Sequence, residues 1–149
     1  TYSLGYTLNH LGLAWLEAGQ AQQARAAFTE ALALRRALEQ SGAALDDLAG
    51  LARAALLEGA VSQALDTVTQ ILAQLDEAAA EGSEFPVWVY LTCTRVLHAA
   101  GETARAEQMR GTGQQLLQER AGAIHDPALR AQFLEEVPFN AELLHAKDQ

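Results

Sequence analysis

The chain contains a single cysteine, a single lysine and only three prolines among its 149 residues. One cysteine excludes an internal disulfide framework and a cysteine-based zinc site. No run of about 18 apolar residues occurs, which excludes a transmembrane helix. The sequence does not show the charged start and following apolar segment that are typical of a secretory signal. We therefore expect a cytoplasmic protein, and no motif in the sequence indicates a cofactor.

Basic residues are also scarce, because ten Lys and Arg stand against 19 Asp and Glu, a formal charge of −9. An acid excess of this size argues against direct binding of nucleic acid or of an anionic membrane. Half of the residues are hydrophobic, which is typical of a folded chain. The chain begins with Thr1 and helical periodicity begins near Ser3, so we expect a piece of a longer protein.

Alanine, leucine and glutamine dominate the composition and arginine supplies nearly all of the basic residues; all four are strong helix formers. The segment FPVWVYL at residues 85–91 has the propensity of a strand, yet a lone strand would have no pairing partner. We therefore predict a helix there, with Pro86 in its first turn, where its missing N–H is tolerated. The expected fold class is all-α.

An internal repeat organises the chain. Three glycine-led segments match one another and begin 40 and 42 residues apart: Gly19–Ala24, Gly59–Ala64 and Gly101–Ala106. An amphipathic pattern with helical spacing lies on both sides of each. This predicts three helical hairpins, at about 3–40, 44–80 and 84–121, with the glycine closing each first helix in the left-handed conformation. A single hairpin cannot bury its own apolar face, so neighbouring hairpins must stack.

The first hairpin reads L-x-x-L-G-x-x-W over residues 8–15 and A-x-x-x-F-x-x-A over residues 24–31. This pattern resembles the tetratricopeptide repeat, which implies an α-solenoid in which Gly12 and Ala24 allow close helix approach beside Trp15 and Phe28. The second hairpin keeps the pattern. In the third, Arg110 stands at an apolar position.

Departures from the repeat leave an alternative open. The period exceeds the family's roughly 34 residues, with the added length around 39–45 and 79–84, and no proline closes the units. An ordinary six-helix bundle therefore remains the alternative fold.

The remainder, residues 126–149, has a different pattern. Asp126 and Pro127 are typical of a helix N-terminus, and we expect short C-terminal helices that cap the three hairpins of residues 1–125. Residues 126–140 resemble the end of helical-repeat regions in large bacterial regulators that carry an ATPase module. That resemblance implies a C-terminal part of a bacterial signalling or transcriptional regulatory protein.

The sequence shows no catalytic motif. The four histidines lie at no metal-binding spacing, and no phosphate-binding loop or nucleophile elbow occurs. Gly111-Thr-Gly113 follows no strand, so we expect a weak or kinked point in a helix instead. Cys93 falls on an apolar helix face and is predicted to be buried. We therefore expect no enzyme activity and no metal site.

In the tetratricopeptide family, the first helix of each hairpin lines a peptide-binding groove. By register, the resemblance implies a groove formed by seven residues: Tyr6, Asn9, Leu13, Asp46, Arg53, Trp88 and Arg95. Arg53 and Arg95 occupy equivalent positions and are expected to lie side by side. Two guanidinium groups would hold an acidic peptide, unless Asp46 offsets their charge internally.

Two functions remain open from the sequence. The first is a module that binds a protein or peptide partner through this groove. The second is an assembly element, which packs on neighbouring repeats or forms a homo-oligomer through the exposed N-terminal hairpin. A binding module should leave Trp88 and the two groove arginines open, whereas an assembly element should bury them.

Overall fold

The computed structural model describes residues 2–145, apart from the side chains of Tyr2 and Glu77. Over this range the chain forms helices and no strand, which confirms the all-α prediction. Thr1 and residues 146–149, the end of the predicted cap, lie outside the described residues. Within residues 2–145 nine helices follow one another: α1 Tyr2–Glu17, α2 Ala21–Ala37, α3 Ser41–Leu57, α4 Val61–Gln74, α5 Glu77–Gly82, α6 Pro86–Ala99, α7 Thr103–Gly122, α8 Pro127–Glu135 and α9 Pro138–Leu144.

The chain divides into two compact units, Thr1–Pro86 and Val87–Gln149. The first unit contains α1 to α5, and therefore the predicted hairpins 3–40 and 44–80 as the pairs α1–α2 and α3–α4. The second contains α7 to α9 and all of α6 after its first residue. The predicted tetratricopeptide-like stacking of all three hairpins remains a prediction.

The turns that end α1, α3 and α6 have the predicted geometry. Their glycines take positive φ angles of 73°, 76° and 80°: Gly19, Gly59 and Gly101. At each turn the glycine N–H donates three residues back and the next N–H donates five residues back, which closes the helix end. Glu39 ends α2 in the same way with a φ of 56°, although it is not a glycine. The sequence pattern therefore missed this fourth turn.

The predicted extra length occurs in two forms. α3 begins at Ser41 and only three residues separate it from the end of α2, so most of residues 39–45 belongs to a long helix rather than to a long link. Near residues 79–84 the chain instead forms the additional short helix α5, which Asp76 caps by accepting a hydrogen bond from the Ala79 N–H.

The core of the first unit is built around the Phe28 ring, which is fully buried. Glycines on both flanking helices leave room for it, since a Cβ on Gly12 would lie 2.7 Å from the ring and a Cβ on Gly50 2.4 Å. The close packing of Gly12 and Phe28 is thus confirmed. Gly42 makes a second close approach, because a Cβ there would lie 2.5 Å from the Gly82 Cα. This contact brings the start of α3 against the end of α5.

The second unit has its own apolar core, in which the C-terminal helices contact α6 and α7. The cluster consists of buried Val87, Leu91, Leu117 and Leu143, with Leu116, Phe133, Leu134, Phe139 and Leu144 packed against it. α6 begins at Pro86, as predicted. Asp126 caps α8 by accepting hydrogen bonds from the N–H groups of Ala128 and Leu129, also as predicted.

The expected weak point at Gly111-Thr-Gly113 lies inside the continuous helix α7. Gly113 is buried there because its missing side chain leaves space for its neighbours: a Cβ would lie 2.8 Å from the Tyr90 Cβ and 3.0 Å from Leu143. The glycine is therefore explained by packing.

We predict that Gly50→Ala lowers the free energy of unfolding by about 1–3 kcal/mol, because the added methyl overlaps the buried Phe28 ring. The matched control is Gly111→Ala, where a Cβ meets nothing within 4 Å. That variant should gain about 0.5–1 kcal/mol, the ordinary benefit of alanine over glycine in a helix. Urea melts of the three proteins measure both changes. Equal stabilisation by the two alanines would contradict the packing around Phe28.

Candidate binding surface

The seven predicted groove residues fall in both units. Five belong to the first unit (Tyr6, Asn9, Leu13, Asp46 and Arg53) and two to the second (Trp88 and Arg95). The expected side-by-side arrangement of Arg53 and Arg95 joins the two units and remains a prediction. The residues of each unit are described separately.

Asn9 does not present its side chain to an open surface, since it is only 2% exposed. Its Nδ2 donates a 2.7 Å hydrogen bond to Oδ1 of Asp47, which is fully buried. Asp47 Oδ2 lies 3.7 Å from Nε of buried Arg35. Gly5 leaves space for this guanidinium, because a Cβ on Gly5 would lie 3.0 Å from Arg35 Nε. This polar cluster connects α1, α2 and α3 inside the first unit.

Asp46 is likewise buried, at 3% exposure, rather than open to a groove. Its carboxylate accepts a hydrogen bond of 2.7 Å from the Ser83 hydroxyl, one of 2.7 Å from the Glu84 N–H and one of 3.1 Å from the Phe85 N–H. These three donors form the link between α5 and α6. Asp46 therefore fixes the backbone of the link, which explains why an ionisable residue stands at a buried position of α3.

Burial has the largest effect on the pKa values of the two adjacent aspartates, Asp46 and Asp47. It raises the pKa of Asp46 above its usual value, although the hydrogen bonds from Ser83, Glu84 and Phe85 act in the opposite direction. Burial also raises the pKa of Asp47 to about 7, against the lowering effects of the Asn9 hydrogen bond and the Arg35 charge. The charge of Asp46 adds to the increase at Asp47.

Tyr6 does lie on the surface, at 45% exposure. Its ring stacks on His10 with centroids 4.2 Å apart and planes tilted by 34°. His10 contacts the Phe85 ring nearly edge-on, at 5.9 Å and 61°. The His10 Nε2 also lies 3.1 Å from Oε1 of Glu84. We call these four residues the aromatic–acid cluster.

Part of this cluster can be predicted from the sequence. Tyr6 and His10 are four residues apart on one helix, so their contact follows from helical spacing. Glu84 and Phe85 lie more than 70 residues away in the sequence, and the backbone N–H groups of both are held by hydrogen bonds to Asp46. No sequence pattern indicated the contacts of His10 with Glu84 and Phe85, because these residues come from distant parts of the chain.

The other two predicted residues of the first unit contribute less to a surface. Leu13 is half-buried and packs against the cluster of Ala24, Phe28 and Ala54. Arg53 is half-buried on α3.

In the second unit, Arg95 is exposed and forms an ion pair with Glu142 of α9. Its partial burial lowers the pKa of its guanidinium. The Arg95 charge is thus already offset by a carboxylate of the same unit. Trp88 is half-buried, and Cys93 is buried, as predicted.

We predict that the free energy of unfolding falls as pH rises from about 4 to about 7, because Asp47 has a raised pKa. In that interval folded Asp47 binds a proton that the unfolded state has released, so the stability that Asp47 contributes is fully present below its unfolded pKa of about 3.9 and is lost as the pH rises through about 7. One such group contributes a slope of at most about 1.4 kcal/mol per pH unit. Asp47→Asn should flatten the dependence, whereas Asp66→Asn, at an exposed position of α4, should not. Urea melts across this range measure the slopes, and the same slope for wild type and Asp47→Asn would refute the prediction.

Within the part of the chain that the structure describes, no group of three or more His, Cys, Asp or Glu is placed to hold a metal ion. No helix in that part is long and apolar enough to cross a membrane. Comparison with protein-family models, curated proteins and solved structures gives no match for this chain. Function is therefore inferred from the residues described above.

Proposed function

We propose that this chain is a non-catalytic protein-interaction module made of tetratricopeptide-like helical hairpins. The repeated glycine turns and the Gly12–Phe28 packing support the hairpin assignment. The observation that carries the binding role is the exposed aromatic–acid cluster, which is held in place by a buried carboxylate. The bacterial, cytoplasmic regulator implied by residues 126–140 is part of the same proposal.

The aromatic–acid cluster has the features of a recognition surface. Tyrosine at an exposed position offers a large, rigid contact area at low entropic cost, which is why it is enriched at interfaces. Two more apolar side chains of α1 are exposed near 45%, Leu4 and Leu11. The 16 residues of α1 include one acidic residue, Glu17, and neither lysine nor arginine. The helix thus presents a weakly charged, partly apolar surface on an acidic protein.

The burial of the predicted groove residues favours a binding surface that does not include Arg53 and Arg95. Asn9 and Asp46 belong to the interior of the first unit, and the Arg95 charge is offset by Glu142. Of the predicted groove residues, Tyr6 is the one that combines high exposure with ordered aromatic neighbours. We therefore centre the proposed binding surface on Tyr6.

Self-association is the second candidate function. Leu4 and Leu11 lie seven residues apart, so they share one face of α1, and both are exposed. A second copy would meet no fixed charge of lysine or arginine on this helix. In this alternative the partner of α1 is α1 of another molecule.

The test is selection of peptides from a random display library on the full chain, followed by fluorescence anisotropy with the selected peptides. We expect Tyr6→Ser to weaken binding by about tenfold or more, as loss of a central aromatic contact does. The control is Leu129→Ser, because Leu129 is 56% exposed and belongs to the second unit. This variant should bind the selected peptides with the affinity of wild type. Equal affinity of wild type and Tyr6→Ser, or no enriched peptide, would contradict the proposal.

Sedimentation equilibrium distinguishes self-association from binding of a peptide partner. A mass that rises with concentration in wild type and stays monomeric in the Leu4→Ser, Leu11→Ser double variant would favour self-association. A monomeric wild type at high concentration would exclude it.

A further inference from the structure

We infer that the aromatic–acid cluster of Tyr6, His10, Glu84 and Phe85 is a site for one cationic side chain, the guanidinium of arginine or the ammonium of lysine, supplied by a basic peptide. This inference rests on the proposed interaction function and specifies the chemistry of the partner. It reverses the charge expected from the arginines, which indicated an acidic ligand.

The rings and the carboxylate together match a cation. The π faces of tyrosine and phenylalanine are electronegative and attract a cation within about 6 Å. Glu84 lies beside the His10 ring that both aromatic rings contact, with its two carboxylate oxygens 3.1 and 3.3 Å from His10 Nε2. Its side chain is 34% exposed and that of His10 is 39% exposed, so solvent reaches both. A guanidinium here would stack on a ring and form a charge-assisted hydrogen bond to Glu84.

The cluster is ordered before any ligand binds. The Glu84 and Phe85 N–H groups both donate to the buried Asp46 carboxylate, and the Ser83 hydroxyl does the same. The close contact of Gly42 with Gly82 positions the residue just before this link. Because these bonds fix the link from which Glu84 and Phe85 project, a ligand would lose little affinity to ordering of the protein.

The charges around the cluster favour a cation over an anion. The whole chain has a formal charge of −9, and the helix that carries Tyr6 and His10 has no lysine or arginine. Buried Arg35 lies near Asp47, 3.7 Å from its carboxylate, and is 4% exposed. Within the cluster itself, His10 is the group that competes with a ligand for Glu84.

The test is an NMR titration of the full chain at one fixed pH. The probes are N-acetyl-arginine methylamide, the equivalent lysine compound, and the citrulline compound as a neutral isostere of arginine. We expect the arginine and lysine probes to shift the ring resonances of Tyr6, His10 and Phe85. The citrulline probe should bind about tenfold more weakly, because it lacks the charge.

Variants separate the two parts of the site. Glu84→Gln should weaken the arginine probe by about tenfold, and Tyr6→Leu by about threefold, since it removes a cation–π contact. Tyr6→Phe keeps the ring and should bind as wild type. Glu81→Gln removes an exposed acid of α5 outside the cluster and should have no effect. Circular dichroism melts check that each variant is folded.

Equal binding of the arginine and citrulline probes, or wild-type affinity in Glu84→Gln, would overturn the inference. If display peptides bind through Tyr6 but contain no basic residue, and no cationic probe shifts the cluster, the cation site is refuted while the interaction module stands. If no peptide binds but the arginine probe does, the cation site stands and the peptide-binding function fails.

Discussion

One buried carboxylate holds the candidate site together. Asp46 lies in the N-terminal half of α3 and accepts three hydrogen bonds from the link between α5 and α6. A carboxylate removed from water is costly unless donors surround it, so this arrangement strongly favours one conformation of the link. That conformation brings Phe85 and Glu84 to Tyr6 and His10 of α1, which are distant in sequence. The surface proposed to bind a partner therefore depends on an interior interaction.

The neighbouring aspartate has a different role. Residues that are adjacent on a helix project about 100° apart, so Asp47 contacts Asn9 and Arg35 while Asp46 contacts the link. Together the two carboxylates connect α3 with α1, with α2 and with the residues before α6. Buried polar contacts of this kind fix the geometry of a helical unit more than they stabilise it.

Local sequence patterns predicted the helices of the hairpins and their ends. They could not predict the contacts between residues that are distant in the sequence. Gly19 and Asp126 act through residues a few positions away, so spacing alone indicated their roles. Glu39 was missed because a non-glycine residue there adopts the left-handed conformation. Register with the resembling family predicted Asp46 on an open groove, whereas the structure buries it. The nearly continuous run of small and apolar residues around it in α3 was the available signal that it is buried.

Amide hydrogen exchange of the link tests the account most directly. In wild type the Glu84 and Phe85 amides should be protected, because both donate to Asp46. In Asp46→Ala we expect their protection to fall to the level of exposed amides, while amides in the middle of α2 keep theirs. Unchanged protection at Glu84 and Phe85 in that variant would show that something other than Asp46 holds the link, and would contradict the central claim.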